Sequence, residues 1–176
     1  WTDFSYEFTA NDAYGPSYED WIEFYNTSGT PIDLNGYYLS DKATNLTKWQ
    51  FNSDVIINAN EHLVIFCSGR NEINGGNIHT SFKLHQTKGN EWIILTNPDG
   101  VTVIDSVFIR PCLTNSSRGR LNYTDNTQGV FTTPTPGALN TGGYIDYSTT
   151  PAFSPGPTKT FFPLVGKLAN NGFEFL

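Results

Sequence analysis

The run Asp20-Trp21-Ile22-Glu23-Phe24-Tyr25 alternates without a break. In extended backbone Ile22 and Phe24 fall on one side, and Trp21, Glu23 and Tyr25 on the other. It stops at Asn26-Thr27-Ser28-Gly29-Thr30-Pro31, a cluster of turn formers that cannot continue a ladder. This unit, a short alternating run closed by turn residues, recurs along the chain with no helical period beside it. Ile32 to Gly36 is followed by a short strand from Tyr37 to Ser40, and Lys48-Trp49-Gln50-Phe51 alternates again, with Trp49 and Phe51 expected in the core. His62 to Cys67 is apolar on both faces and reads as a central, covered strand, ended by Ser68-Gly69. His79 to His85 alternates, setting Phe82 and Leu84 against Ser81, Lys83 and His85.

The clearest hairpin joins Glu91–Thr96 to Val101–Ile109 across Asn97-Pro98-Asp99-Gly100, where Pro suits a type I turn and Gly supplies φ > 0 at a bulge. In its second strand Val101, Val103 and Val107 are expected to face one way. With 38% hydrophobic and 15% aromatic residues, 16 Gly and 10 Pro, the 176-residue chain suits short strands joined by many turns. The expected fold is all-β, an antiparallel β-sandwich of roughly eight short strands. After Asn140 the character changes: Thr141-Gly142-Gly143 reads as a linker, and an extended Pro/Gly-rich tail follows. The expected organisation is a domain over 1–141 and a linker and tail over 142–176.

The formal charge of −7 and the lack of a Lys/Arg run argue against nucleic acid and anionic membranes as partners. No apolar stretch approaches the ~18 residues of a spanning helix, so membrane insertion is not expected. The chain starts at Trp1 with no leader pattern, which reads as a mature or excised fragment of something longer.

The ordered series Asp20 to Asn26, Ile32 to Asp41, Lys48 to Phe51, Leu63 to Phe66 with Ser68-Gly69, and His79 to Leu84 resembles the lamin tail domain of bacterial proteins. Pro98-Asp99-Gly100 with Asp105-Ser106-Val107, then Ser117-Arg118-Gly119-Arg120 and Pro134 to Asn140, continue that resemblance across most of Tyr6 to Asn140. It implies an immunoglobulin-like sandwich and a role in attachment or scaffolding within a larger secreted or surface protein. Tyr147 to Pro155 faintly resembles the start of a chitobiase C-terminal-like β-module. On this reading the partner is a protein or polysaccharide at the cell surface, or a neighbouring domain of the parent protein, and the location is extracellular.

No covalent catalytic site is expected. There is no G-x-S-x-G, and Cys67 lies in an apolar strand where a thiolate is disfavoured. Cys67 and Cys112 are either two buried thiols or one disulfide. The acids Glu19, Asp20, Glu23, Asp33, Asp41 and Asp105 read as edge and turn residues; Asp41 with Asn45, or Asp3 with Asp12, are the weak calcium candidates. No other cofactor is expected. His79 and His85 read as isolated surface histidines. The aromatics Tyr25, Tyr37, Tyr38 and Trp92 are the recognition candidates, because each provides rigid amphipathic area for a protein or a sugar. Three functions follow in order: an interaction module, a carbohydrate-binding module using those aromatics, and an accessory domain of a secreted hydrolase. A nuclear-lamina role would call for coiled-coil heptads, and none is present.

Overall fold

A computed structural model describes residues 4–5, 18–85, 91–110, 116–122, 127–145 and 173–175. Cys112, Asp3, Asp12 and the stretch Tyr147–Pro155, each given a reading above, lie outside the described residues. In chain order the strands are β1 (Phe4–Ser5), β2 (Tyr18–Glu19), β3 (Trp21–Asn26), β4 (Ile32–Asp33) and β5 (Tyr38–Ser40). Next come β6 (Trp49–Gln50), β7 (Ile56–Ile57), β8 (His62–Phe66), β9 (Glu72–Asn74) and β10 (Asn77–His79). The last are β11 (Trp92–Thr96), β12 (Val103–Phe108), β13 (Ser117–Arg120), β14 (Gln128–Phe131) and β15 (Phe173–Phe175).

Two main sheets form an immunoglobulin-like all-β sandwich. One runs β15-β3-β8-β10-β9 and the other β12-β11-β5-β6. Every neighbouring pair is antiparallel except β8 and β10, which meet in parallel at Phe66 and His79. The small ladders β1-β2, β4-β7 and β13-β14 complete the set. As the apolar pattern requires, β8 is central, between β3 and β10. Among the described residues no helix is long and apolar enough to cross a membrane.

The core lies where inward faces meet. Ile22 and Phe24 of β3, Leu39 of β5, Ile65 of β8 and Ile93 and Leu95 of β11 are buried together with Trp49 and Phe51. The rings of Trp49 and Phe51 meet edge to face at 4.7 Å. The expectation that Val101, Val103 and Val107 face one way is corrected. A bulge between Leu95 and Thr96 shifts the register of β12, so that Thr96 pairs with Val103 and Leu95 with Asp105. The residue that enters the core is therefore Ile104, while Val101 and Val103 are 73% and 40% exposed and only Val107 packs inward.

Beyond Arg110 the described chain stays against the sandwich. Tyr144 bridges to Val130, donating to its carbonyl at 3.1 Å and accepting from its amide at 2.9 Å. A Cβ on Gly143 would fall within contact of Phe131 and Leu121, so this glycine lets the chain pass close over the β13-β14 ladder. Phe173–Phe175 pair with Asn26–Phe24 of β3. Within the stretch read from sequence as linker and tail, Tyr144 is thus hydrogen-bonded to β14 and residues 173–175 pair with β3.

Candidate functional site

Glu23 sits on the outward face of β3 and is 3% exposed. Strand alternation alone sends it to solvent; the Pro134–Asn140 loop covers it, and the Gly137 amide donates to its Oε1 at 2.5 Å. Burial outweighs that hydrogen bond and raises the Glu23 pKa to about 7. The same loop reaches the β13-β14 ladder, where Asn140 Nδ2 donates to the Arg120 carbonyl at 3.3 Å. Arg120 of β13 in turn grips Asp105 of β12 with both arms, at 2.9 and 3.0 Å. This polar latch fastens the chain beyond Arg110 to both sheets. The reading of Glu23 as an edge or turn acid is corrected: it lies within β3, and the long-range Pro134–Asn140 loop, which strand alternation does not anticipate, buries it.

The four recognition candidates do not come together. Tyr25 lies on the outer face of β3, its ring 4.5 Å from that of His62. Tyr37 packs against the core from the other sheet. Tyr38 pairs with Thr96, four residues along β11 from Trp92, or about 13 Å at the strand rise. Between them Ile94 is 3% exposed, and Trp92 meets Phe108 edge to face at 5.1 Å. All four are half-buried and line no common groove.

A cleft of about 320 Å³ opens between the edge strands of the two sheets. Trp49 of β6 forms its floor, Asn52 and Ser53 one wall, and Asn71, Glu72 and Ile73 at β9 the other. Trp49 Nε1 donates to Asn71 Oδ1 at 2.9 Å, which ties the two edges. Asn71 holds φ at 58°, a left-handed conformation that Asn tolerates better than most residues. Arg70–Asn77, polar and Gly-containing, reads from sequence as a loop; the structure instead forms β9 and the turn into β10 within it. The Asn-Gly-Gly that turns β9 into β10 is the signal that a hairpin was there.

The family model described as Lamin Tail Domain matches residues 5–110. The chain belongs to the lamin tail domain family. No curated protein and no solved structure gives a match. The matched part of this lamin tail domain includes Glu23 and Asp105, and both hold residues that lie beyond the match, Gly137 and Arg120. The latch therefore joins the family frame to the chain that follows it.

Among the described residues, several other chemically capable groups are engaged in packing or pairing. His79, expected on the surface, is 1% exposed; its Nδ1 lies 2.9 Å from Ser68 Oγ and its ring stacks on Phe66. The correction has a local cause. β10 ends at His79 because the Thr80 hydroxyl donates to the Phe82 carbonyl at 2.7 Å and accepts from its amide, a turn that replaces the ladder. Ser68 is itself 4% exposed, so the Ser–His pair faces no substrate. Cys67 is a buried free thiol, and burial pushes its pKa well up, Thr80 opposing and Asp20, Asp41 and Glu91 adding to the rise. The Asp41 carboxylate, the calcium candidate beside Asn45, is paired with Lys48 Nζ at 2.5 Å. Among the described residues no three His, Cys, Asp or Glu side chains gather as a metal site.

Proposed function

We propose that this lamin tail domain is a non-catalytic interaction module of the extracellular or cell-surface kind, which attaches or positions a larger protein. The cleft between β6 and β9 is the observation that carries the reading. Its walls offer amides, a hydroxyl and a carboxylate beside Ile73, an exposed apolar side chain. Its one ring, Trp49, is 7% exposed and presents no open face. That composition suits a protein segment better than a sugar, whose stacking needs an accessible aromatic surface. The bacterial, secreted setting is supported by the family resemblance, and the chitobiase-like continuation by sequence pattern alone.

The carbohydrate reading keeps a specific observation of its own, the half-buried Tyr38 and Trp92 on the outer side of the four-stranded sheet. One experiment separates the two. A fluorescent fusion of the full chain is incubated with intact cells of its source, and retention after washing is read by cytometry. Retention lost on Glu72→Lys with Ile73→Asp, and kept on Tyr38→Ala, supports the protein-binding cleft. The opposite pattern replaces it with sugar binding, and no retention by the parent fusion overturns both.

A further inference from the structure

β3 is the strand whose edge is met by chain from far away in sequence. Phe173, Glu174 and Phe175 pair antiparallel with Asn26, Tyr25 and Phe24, adding β15 outside the strand. Among the described residues, Phe173–Phe175 pair with three of the six residues of β3. The acceptor positions are chemically uneven. Phe24 and Asn26 are 1% and 0% exposed and belong to the inward side, while Tyr25 is half-buried on the outward side beside His62. A strand added here in this register meets, in turn, an inward, an outward and an inward position. The order Phe-Glu-Phe of residues 173–175 matches that alternation.

From this we infer that the β3 edge is a strand-addition site for an extended peptide with apolar residues at alternate positions and a polar or acidic one between. The chain's own Phe173–Phe175 is a resident occupant that screens the edge. The physical basis is general. An exposed edge presents unpaired N–H and C=O groups, main-chain hydrogen bonds to an added strand give affinity, and alternate side-chain positions give selectivity. The hold on β15 is a three-residue ladder to β3, with β12 of the other sheet alongside, and it is an intramolecular one because both strands share a chain. Tethering supplies an effective concentration on the order of millimolar, and an incoming peptide must outcompete it. The partner this edge fits is a segment of another protein with the same aromatic-acidic-aromatic alternation. The inference rests on the interaction-module reading and adds to it a second surface, distinct from the cleft.

The test uses the full chain. Glu174→Pro removes an amide and disfavours the ladder at the centre of β15; Phe173→Ser with Phe175→Ser is the second variant, which leaves the backbone free to pair. The probe is a synthetic peptide of residues 170–176, with a control of the same composition in which the two Phe are adjacent. Binding is followed by amide shifts in ¹⁵N-labelled protein. The expected result is that the peptide binds Glu174→Pro, with shifts centred on Phe24 to Asn26. It binds the unmodified chain at least about tenfold more weakly, and the control peptide fails. Equal affinity for both proteins, shifts away from β3, or equal binding of the control overturns the inference. So does unchanged hydrogen exchange at Phe24–Asn26 in both variants. A concentration-dependent dimer of the unmodified chain, with the tail of one copy on the β3 of another in an isotope-mixed sample, replaces the foreign segment with self-exchange. Failure here leaves the cell-retention experiment untouched, since the cleft lies on the opposite edge, at β9.

Discussion

Replacing Glu23 with Gln isolates the energetic consequence of burying an acid under the Pro134–Asn140 loop. The folded-state pKa of about 7 stands above the reference 4.5 because burial disfavours the charge more than the Gly137 amide favours it. Between those values the folded protein binds more protons than the unfolded chain. The contribution of Glu23 to stability is thus present in full below pH 4.5 and is lost as pH rises through 7. The gap of about two and a half units, at 1.36 kcal/mol each, corresponds to about 3 kcal/mol between pH 4.5 and pH 8. Gln keeps the shape and an oxygen for the Gly137 N–H, but it does not ionise. Urea unfolding of both proteins in parallel from pH 4.5 to pH 8.5 gives the difference directly, and other titrating groups cancel. The variant should match the parent at the acid end and exceed it by about 3 kcal/mol at the alkaline end. A difference that stays flat with pH refutes the reasoning. A parent that gains stability over the variant as pH rises refutes it more strongly, for then the loop holds Glu23 as an anion.

Gly143→Ala drives a methyl group into Phe131 and Leu121 and should cost about 1–3 kcal/mol in urea unfolding; a neutral result would mean that residues 142–145 do not pack on the β13-β14 ladder. Asp105→Ala leaves the Arg120 guanidinium, 5% exposed, without its bidentate partner and should cost about 3–5 kcal/mol. The double change Asp105→Leu with Arg120→Met should recover most of that loss, and its failure to do so would show that the pair does more than neutralise itself. Peptide mapping after alkylation at pH 8 should find Cys67 unmodified in the native chain and labelled after unfolding in urea, because the thiol is buried and its pKa raised. The same digest run without reductant reports on Cys67–Cys112 pairing.

The strands that sequence made legible are those whose burial follows from alternation or from apolar content on both faces. β3 and β8 are of this kind, and their core residues Ile22, Phe24 and Ile65 are buried as the pattern leads one to expect. The pattern fails where a single residue is inserted or a side chain competes with the ladder. The bulge before Asp105 exchanges Val103 for Ile104, since a strand's facing reverses with every added residue. Thr80 ends β10 early by satisfying Phe82 itself, and it leaves His79 inside. The candidate site was less legible because its parts belong to different scales. Tyr25, Tyr37, Tyr38 and Trp92 were chosen for residue type, but whether aromatics converge is decided by which sheet and which register carry them. The cleft wall at Asn71–Ile73 is polar and short, and it becomes a surface only when β9 is brought opposite β6.

Much of what carries the family resemblance is spent inside the molecule. Glu23 from the first run, Asp105 from the hairpin, Arg120 from Ser117–Arg120 and Gly137 and Asn140 from the Pro134–Asn140 loop make the latch between the sheets and the chain that follows them. Asn26, which ends the first run, is 0% exposed, and its amide group donates to the carbonyls of Thr30, Ile57 and Asn58. These residues explain why the sequence reads as a lamin tail domain and why it folds as one. They leave little polar capacity for a ligand, because a buried donor or acceptor already paired inside costs about 1–3 kcal/mol to unpair. On the proposed interaction-module reading, partner choice falls to positions outside those motifs, the walls of the cleft at Asn52, Ser53, Glu72 and Ile73. If that reading holds, transplanting residues 71–74 from this domain onto another lamin tail domain should transfer cleft binding while leaving the unfolding free energy within about 1 kcal/mol, and retention that stays with the recipient's own residues would refute it.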